Sequence, residues 1–343
     1  MEMKHRTIYA FDDAMIATEQ RLTRRWLPAT VAPEPVIRPD RPWEGRCLCL
    51  YGTVLPRTGG AWRLYYNEWK PPFLGPDTSV VSTSLSQIMV AESDDGLRWT
   101  KPELVLRPDL DDEPGVEFYG MSVFERHGWF LGLLEYWRSD VDVIETHLAI
   151  SRDGRQWQRP CRVPFIAATC DWNRAWSGCA SNGPIMIGEQ MAFLFGGRRT
   201  SHHFDSVQLA GAIGVASLPC DRFCCLEGQG GFFETPAFTW PGGDLVVNAD
   251  TRRSFQSHPL HCNGCLTVEV LDEAGAPAPD WSGPAQARFQ GNTLCRCRVF
   301  DGTVRWPQGR SLAEWQGRTI RLRFRLDQAR LFTWGCAVKG EAK

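Results

Sequence analysis

The stretch "SRDGRQWQRP", residues 151–160, carries a turn signal at Asp153-Gly154 and a tryptophan three residues after the glycine. Asp-Gly marks a tight turn. An earlier stretch, "SDDGLRWTKP" at 93–102, has the same frame, Ser-x-Asp-Gly-x-x-Trp-x-x-Pro. An Asp ahead of the glycine can hold its own turn through backbone N–H groups. The tryptophan can then fold back as an apolar plug. The repetition marks a structural unit used more than once, so these Asp residues are read as structural and not as catalytic.

Working outward, the segments before each turn repeat in the same order. "RCLCLYGTVL", "GGAWRLYYNEW" and "SQIMVAES" are strand candidates ahead of the first turn. "VEFYGMSVFE", "HGWFLGLLEYW" and "ETHLAIS" precede the second. Tyr119-Gly120 repeats Tyr51-Gly52 at an offset of 68, and the two Asp-Gly turns lie 58 apart. The difference falls mostly in the link "KPPFLGPDTSVVSTSL". A third set, "SGCASNGPIMIG", "EQMAFLFGG" and "AGAIGVAS", ends in a decayed turn, "LPCDRFCCLE". Three-to-four-strand units of this length predict propeller-type blades.

Beyond about Gly230 the turn motif stops. "CLTVEVLDEAG" and "TIRLRFRLDQARLFTW" alternate apolar and polar residues, which predicts an antiparallel β-sandwich. The expected organisation is an extended, proline-rich arm over 1–43, a propeller-like domain over 44–230 and a sandwich over 231–343. The fold class is all-β. "SLAEWQG" at 311–317 is the one helical hint, at most two turns long.

Composition narrows the function. A net charge of −2 without a basic block argues against a general nucleic-acid binder. The absence of a long apolar run argues against a membrane span. The first 20 residues hold no apolar signal core, which points to a cytoplasmic protein. Its 13 cysteines, an odd number, are then expected as thiols. Cys262, Cys265, Cys295 and Cys297 resemble a zinc set, but the Cys-x-Cys half is one residue short and reads better as strand packing. No metal or cofactor is expected. His202-His203 point apart on extended chain, and His147 reads as a structural histidine.

The stretches "EPVIRPDRPWEG", "LYGTVL", "ESDDGLRWTKP", "EFYGMSVF", "HLAISRDGRQW", "GDLVVNAD" and "RLRFRLDQARLFTW" together resemble bacterial glycoside hydrolases of the five-bladed propeller superfamily, the invertase and arabinanase type. The resemblance spans residues 35–336. It implies five blades around a funnel, a C-terminal β-sandwich and carboxylate-based sugar chemistry. Three blades are evident here; either about two are lacking, or the N-terminal arm and the linker supply further strands. The Asp-Gly turn also resembles the Asp-box of sialidases, with one residue fewer between Asp and Gly.

Hydrolysis of a glycoside uses two carboxyl groups flanking the scissile bond. Candidates lie at the starts of inner strands: Glu117 first, then Asp171, Glu44 and Glu145. Asp12 and Asp13 on the arm are weaker. Arg174 beside Asp171 can orient a sugar hydroxyl. Trp43, Tyr51, Tyr119 and Trp176 lie near the same strand starts and offer faces for sugar rings. The expected partner is an oligosaccharide or glycoside. A non-catalytic carbohydrate-binding or assembly protein on the same scaffold is the alternative; oligomeric state is not readable.

Overall fold

The Asp153-Gly154 turn closes a four-stranded antiparallel meander. Strands Val116–Arg126, Trp129–Arg138, Val143–Ser151 and Trp157–Gln158 each pair with the one before. In this computed structural model the residues described are 7–38, 87–90, 103–178, 183–201, 211–252, 264–291, 293 and 302–337. Short strands at 48–49, 54–56, 62–64 and 67–68 are described by backbone alone. The protein is all-β, and its helical pieces among the described residues are short 3-10 turns. One of these, Leu312–Trp315, is capped by Ser311, whose Oγ accepts from the Ala313 N–H.

The turn is held by its own aspartate. The Asp153 carboxylate accepts from the backbone N–H of Arg155 at 2.8 Å and of Gln156 at 2.7 Å. These bonds hold the exposed carboxyl below the usual carboxylate range. Gly154 has φ +71°, a region L side chains avoid. The Trp157 indole N–H donates back to the Gly154 carbonyl at 2.9 Å. Its ring lies so close to Gly132 that a Cβ there would collide with it. The first copy, at Asp95-Gly96, lies outside the described residues, but strands Ile88–Val90 and Glu103–Leu106 on either side pair antiparallel.

The meander continues into a second set of strands. Trp176–Gly178 runs parallel to Val143–Ser151 through Ile144↔Trp176. Trp176–Gly178 and Ile185–Ile187 both pair with Gln190–Arg198, which neighbours Gly211–Pro219. The outermost place is taken by Thr30–Val31, paired with Ala216 and Ser217. Ile37 and Ile213 form a further bridge. The decayed turn therefore has a physical reason: this set takes its outer strand from the N-terminal region, so it needs no tryptophan-plugged turn.

The chain divides into two compact units, 28–218 and 1–27 with 219–343. The stretch 1–43, expected as one arm, is thus shared between them. Thr7–Tyr9 pairs with Thr319–Ala337, and Thr18–Trp26 pairs with Cys224–Glu234. The boundary expected near 230 falls inside the Cys224–Glu234 strand. In this unit the 19-residue strand Thr319–Ala337 is the centre. Its first half pairs with Cys224–Glu234 and Cys265–Leu271, its second with Asp244–Asp250. The core packs Phe233, Phe238, Trp240, Trp306, Phe324 and Trp334. Neither large sheet closes on itself among the described residues.

Candidate functional site

The strand Trp129–Arg138 reads "WFLGLLEYWR" and carries one carboxylate, Glu135, in an otherwise apolar run. Its residue is 2% exposed. Burying a charge without a partner is costly, so such a group is a marker of function. Oε1 of Glu135 is buried and accepts no hydrogen bond. Burial raises the carboxyl pKa to about 7, and the positive charge of Arg198 offsets part of the rise.

Register explains the placement. Glu135 sits opposite Gly120 on one neighbouring strand and opposite Thr146 on the other. A Cβ on Gly120 would come within 3.2 Å of Oε2, and one on Gly178 would collide with both Oε1 and the Trp176 indole nitrogen. Two glycines thus make the room that the carboxyl occupies. Thr146 Oγ1 donates to the Ser177 carbonyl at 2.7 Å and ties the Gly178 segment to this position.

A register shift between Phe118 and Gly120 leaves Tyr119 as the extra residue of a bulge. Bulges re-aim a side chain, and Tyr119 meets Trp137 edge-on at 6.1 Å and Trp176 edge-on at 5.6 Å. Tyr119 is 38% exposed. Its phenol pKa is raised by burial and then by the nearby Glu135. The Arg198 guanidinium lies over the Trp176 ring at 4.2 Å. Together these residues frame a buried acid with aromatic edges and one cation.

The expected site residues fall in several places. Tyr119 and Trp176 belong to this cluster. Glu117 pairs with Trp137, so it shares the face of Glu135 two positions along the strand. Glu145 pairs with Tyr136 and so lies on the opposite face. There it accepts from the Ala168 N–H at 3.0 Å and lies 3.5 Å from Arg138. Asp171 and Arg174 form an exposed ion-pair group with Arg199, at 3.6 and 3.3 Å from the aspartate. Glu44, Trp43 and Tyr51 lie outside the described residues, as do His202, His203, Cys262, Cys295 and Cys297. Asp12 and Asp13 belong to the other unit.

On the opposite face His147 stacks on Tyr136 at 4.2 Å. Its Nδ1 is buried without a hydrogen bond. Burial, helped by Arg159, lowers its pKa to about 3, so it stays neutral. Arg159, buried, lies over the Phe118 ring at 4.6 Å and pairs with the buried Asp112. These contacts make a packing clamp of stacked rings and a buried ion pair. Among the described residues no three His, Cys, Asp or Glu side chains gather as metal ligands, and no helix is long and apolar enough to cross a membrane.

Glu135 lies inside its strand, away from the strand starts where the candidate carboxylates were expected. The available signal was the lone charge inside an apolar strand. A scan against protein-family models matches none of them, and a search among curated proteins finds no match.

Proposed function

We propose that this chain is a glycoside hydrolase-like protein on a propeller-type scaffold, with Glu135 as the general acid. On this reading the two strand sets of the 28–218 unit are blades, and the unit built on Thr319–Ala337 is a β-sandwich. The observation that carries the reading is the buried Glu135 carboxyl with its unpartnered oxygen and a pKa of about 7. A carboxyl in that range is half protonated near neutral pH, as a general acid requires.

Glu117 is the second carboxylate in this scheme. Cross-strand register makes Glu117 and Glu135 diagonal neighbours on one face, their strand positions about 7–8 Å apart. From that spacing two glutamate side chains can set their carboxyl groups within the roughly 5–9.5 Å of glycosidase pairs. The Glu135 proton passes to the glycosidic oxygen as the bond from the anomeric carbon breaks. Glu117 then supplies the electron pair, directly or through a water whose proton it takes. Tyr119 and Trp137 offer ring edges and faces to a sugar. The substrate class is a plant or bacterial saccharide.

The near-complete burial of Glu135 favours a second reading, a saccharide-binding protein in which the acid is only structural. One experiment separates them. Aryl glycosides and oligosaccharides are assayed with wild type, Glu135→Gln and Glu117→Gln. The enzyme reading expects wild-type turnover that falls as pH rises past about 7 and drops at least ~100-fold in Glu135→Gln. Saccharide binding without turnover in the wild type establishes the second reading and removes the first.

A further inference from the structure

We propose that the outward face of the Thr319–Ala337 sheet binds a carboxylate-bearing saccharide. Four side chains stand in one row across four adjacent strands. Phe232 pairs with Arg325, Arg325 with Thr267, and Thr267 with Arg288. At the usual strand spacing the row is about 14 Å long. The alternate residues Phe233, Phe324, Leu266, Val268 and Ala287 belong to the core, so the row faces away from it.

The adjoining row shows what a satisfied version of this face looks like. There Arg323 lies between Glu234, at 2.7 Å, and Glu269, at 3.1 Å. In the row of interest, Arg325 and Arg288 are exposed and form no ion pair or hydrogen bond among the described residues. Arg325 lies 5.5 Å from the Phe232 ring. Between the two arginines stands Thr267, 7% exposed, whose Oγ1 is buried without a partner. Buried hydroxyls are normally hydrogen-bonded, so this one lacks an acceptor. A carboxylate supplies it, and two guanidinium forks match carboxylate geometry.

The ring beside them selects a sugar over a bare anion. Phe232, with the Arg325 and Arg323 guanidinium groups 5.5 and 5.8 Å from its ring, gives an apolar surface beside the cations, the arrangement a pyranose carrying a carboxylate would use. A nucleic-acid strand fits poorly, because phosphate backbones need a continuous basic track. Glu234 and Glu269 interrupt the track on one side and Asp327, two residues past Arg325, on the other.

The test is calorimetric titration of the full chain with a galacturonic acid oligomer, its methyl ester and dextran sulfate. The expected result is saturable binding of the acid oligomer, weakened at least ~10-fold in Arg325→Gln/Arg288→Gln and weakened in Phe232→Ala. The double variant loses little in Tm, since both arginines are exposed and neither forms an ion pair among the described residues. Glu135→Gln binds as wild type does, which separates this site from the proposed hydrolytic one. The proposal is overturned if the acid oligomer does not bind, if the double variant binds equally, or if Glu135→Gln loses binding. Equal binding of the methyl ester or of dextran sulfate also overturns it.

Discussion

Gly178 stands against the carboxyl of Glu135 so closely that a Cβ at position 178 would fall far inside van der Waals contact with Oε1. The buried acid and the glycine occupy one shared volume. Gly178→Ala therefore forces Glu135 or the Trp176 strand to move. The expected cost is about 1–3 kcal/mol in urea unfolding. In a Glu135→Ala background the same substitution costs less, because the colliding carboxyl is gone and only the clash with the Trp176 indole nitrogen remains. Additive effects in that double-mutant cycle would show that the two positions do not compete for space.

Stability should depend on pH through two buried groups with opposite signs. Glu135 has a folded pKa of about 7, above its ordinary 4.5. Its contribution is complete below pH 4.5 and is lost as pH rises through 7. His147 has a folded pKa of about 3, below its ordinary 6.5. Its contribution is complete above pH 6.5 and is lost as pH falls toward 3. Each slope is about 1.4 kcal/mol per pH unit, so they cancel between the two ordinary values. His147→Phe should leave stability falling as pH rises from 4.5 to 7. Glu135→Gln should leave it rising from pH 3 to 6.5. Denaturant unfolding by tryptophan fluorescence across pH 3–8 reads both; flat profiles in either variant would refute the assignment.

Arg159 should be a stability residue through its partner. Its side chain and that of Asp112 are 1% and 3% exposed. Arg159→Met leaves the buried Asp112 carboxylate with Arg162, at 3.2 Å, as its remaining cation and the Asp109 N–H, at 2.8 Å, as a neutral donor. The expected loss is about 3 kcal/mol. Arg159→Met/Asp112→Leu should recover most of it, because the uncompensated charge is removed with its partner. No recovery in urea midpoint would mean that the loss comes from packing on Phe118 and Tyr136 instead.

Gly154 tests the turn. Its φ of +71° is strained for a side chain, while its immediate surroundings leave space for a Cβ, with the nearest atoms of Phe130 at 3.8 Å. Gly154→Ala should cost about 1 kcal/mol from backbone strain alone, and Gly154→Asn less. Thermal unfolding of both variants checks the ranking. An alanine variant as stable as wild type would show that the turn relaxes to another conformation.

How much was legible in advance differs between the turn and the site. The Asp153-Gly154 turn, the strands on either side of it and the capped turn at Ser311 are local. Each is set by residues within a few positions of one another, where turn chemistry and alternation of apolar residues act directly. The site is not local. Glu135 becomes a buried acid because Gly120 lies 15 residues earlier and Gly178 lies 43 later in the chain, brought to it by strand register and by the parallel contact of Ile144 with Trp176.

The sequence by itself determined an all-β chain, the Asp153-Gly154 turn and the period of the strands beside it, because these follow from nearest neighbours. Only the tertiary structure decided that Thr30–Val31 completes a distant strand set, that the early strands Thr7–Tyr9 and Thr18–Trp26 belong with the last ones, and that Glu135 is the buried carboxyl. Those outcomes depend on which backbone edges remain unpaired and which side chains water can still reach. Both are properties of the assembled sheets and of no single stretch of chain.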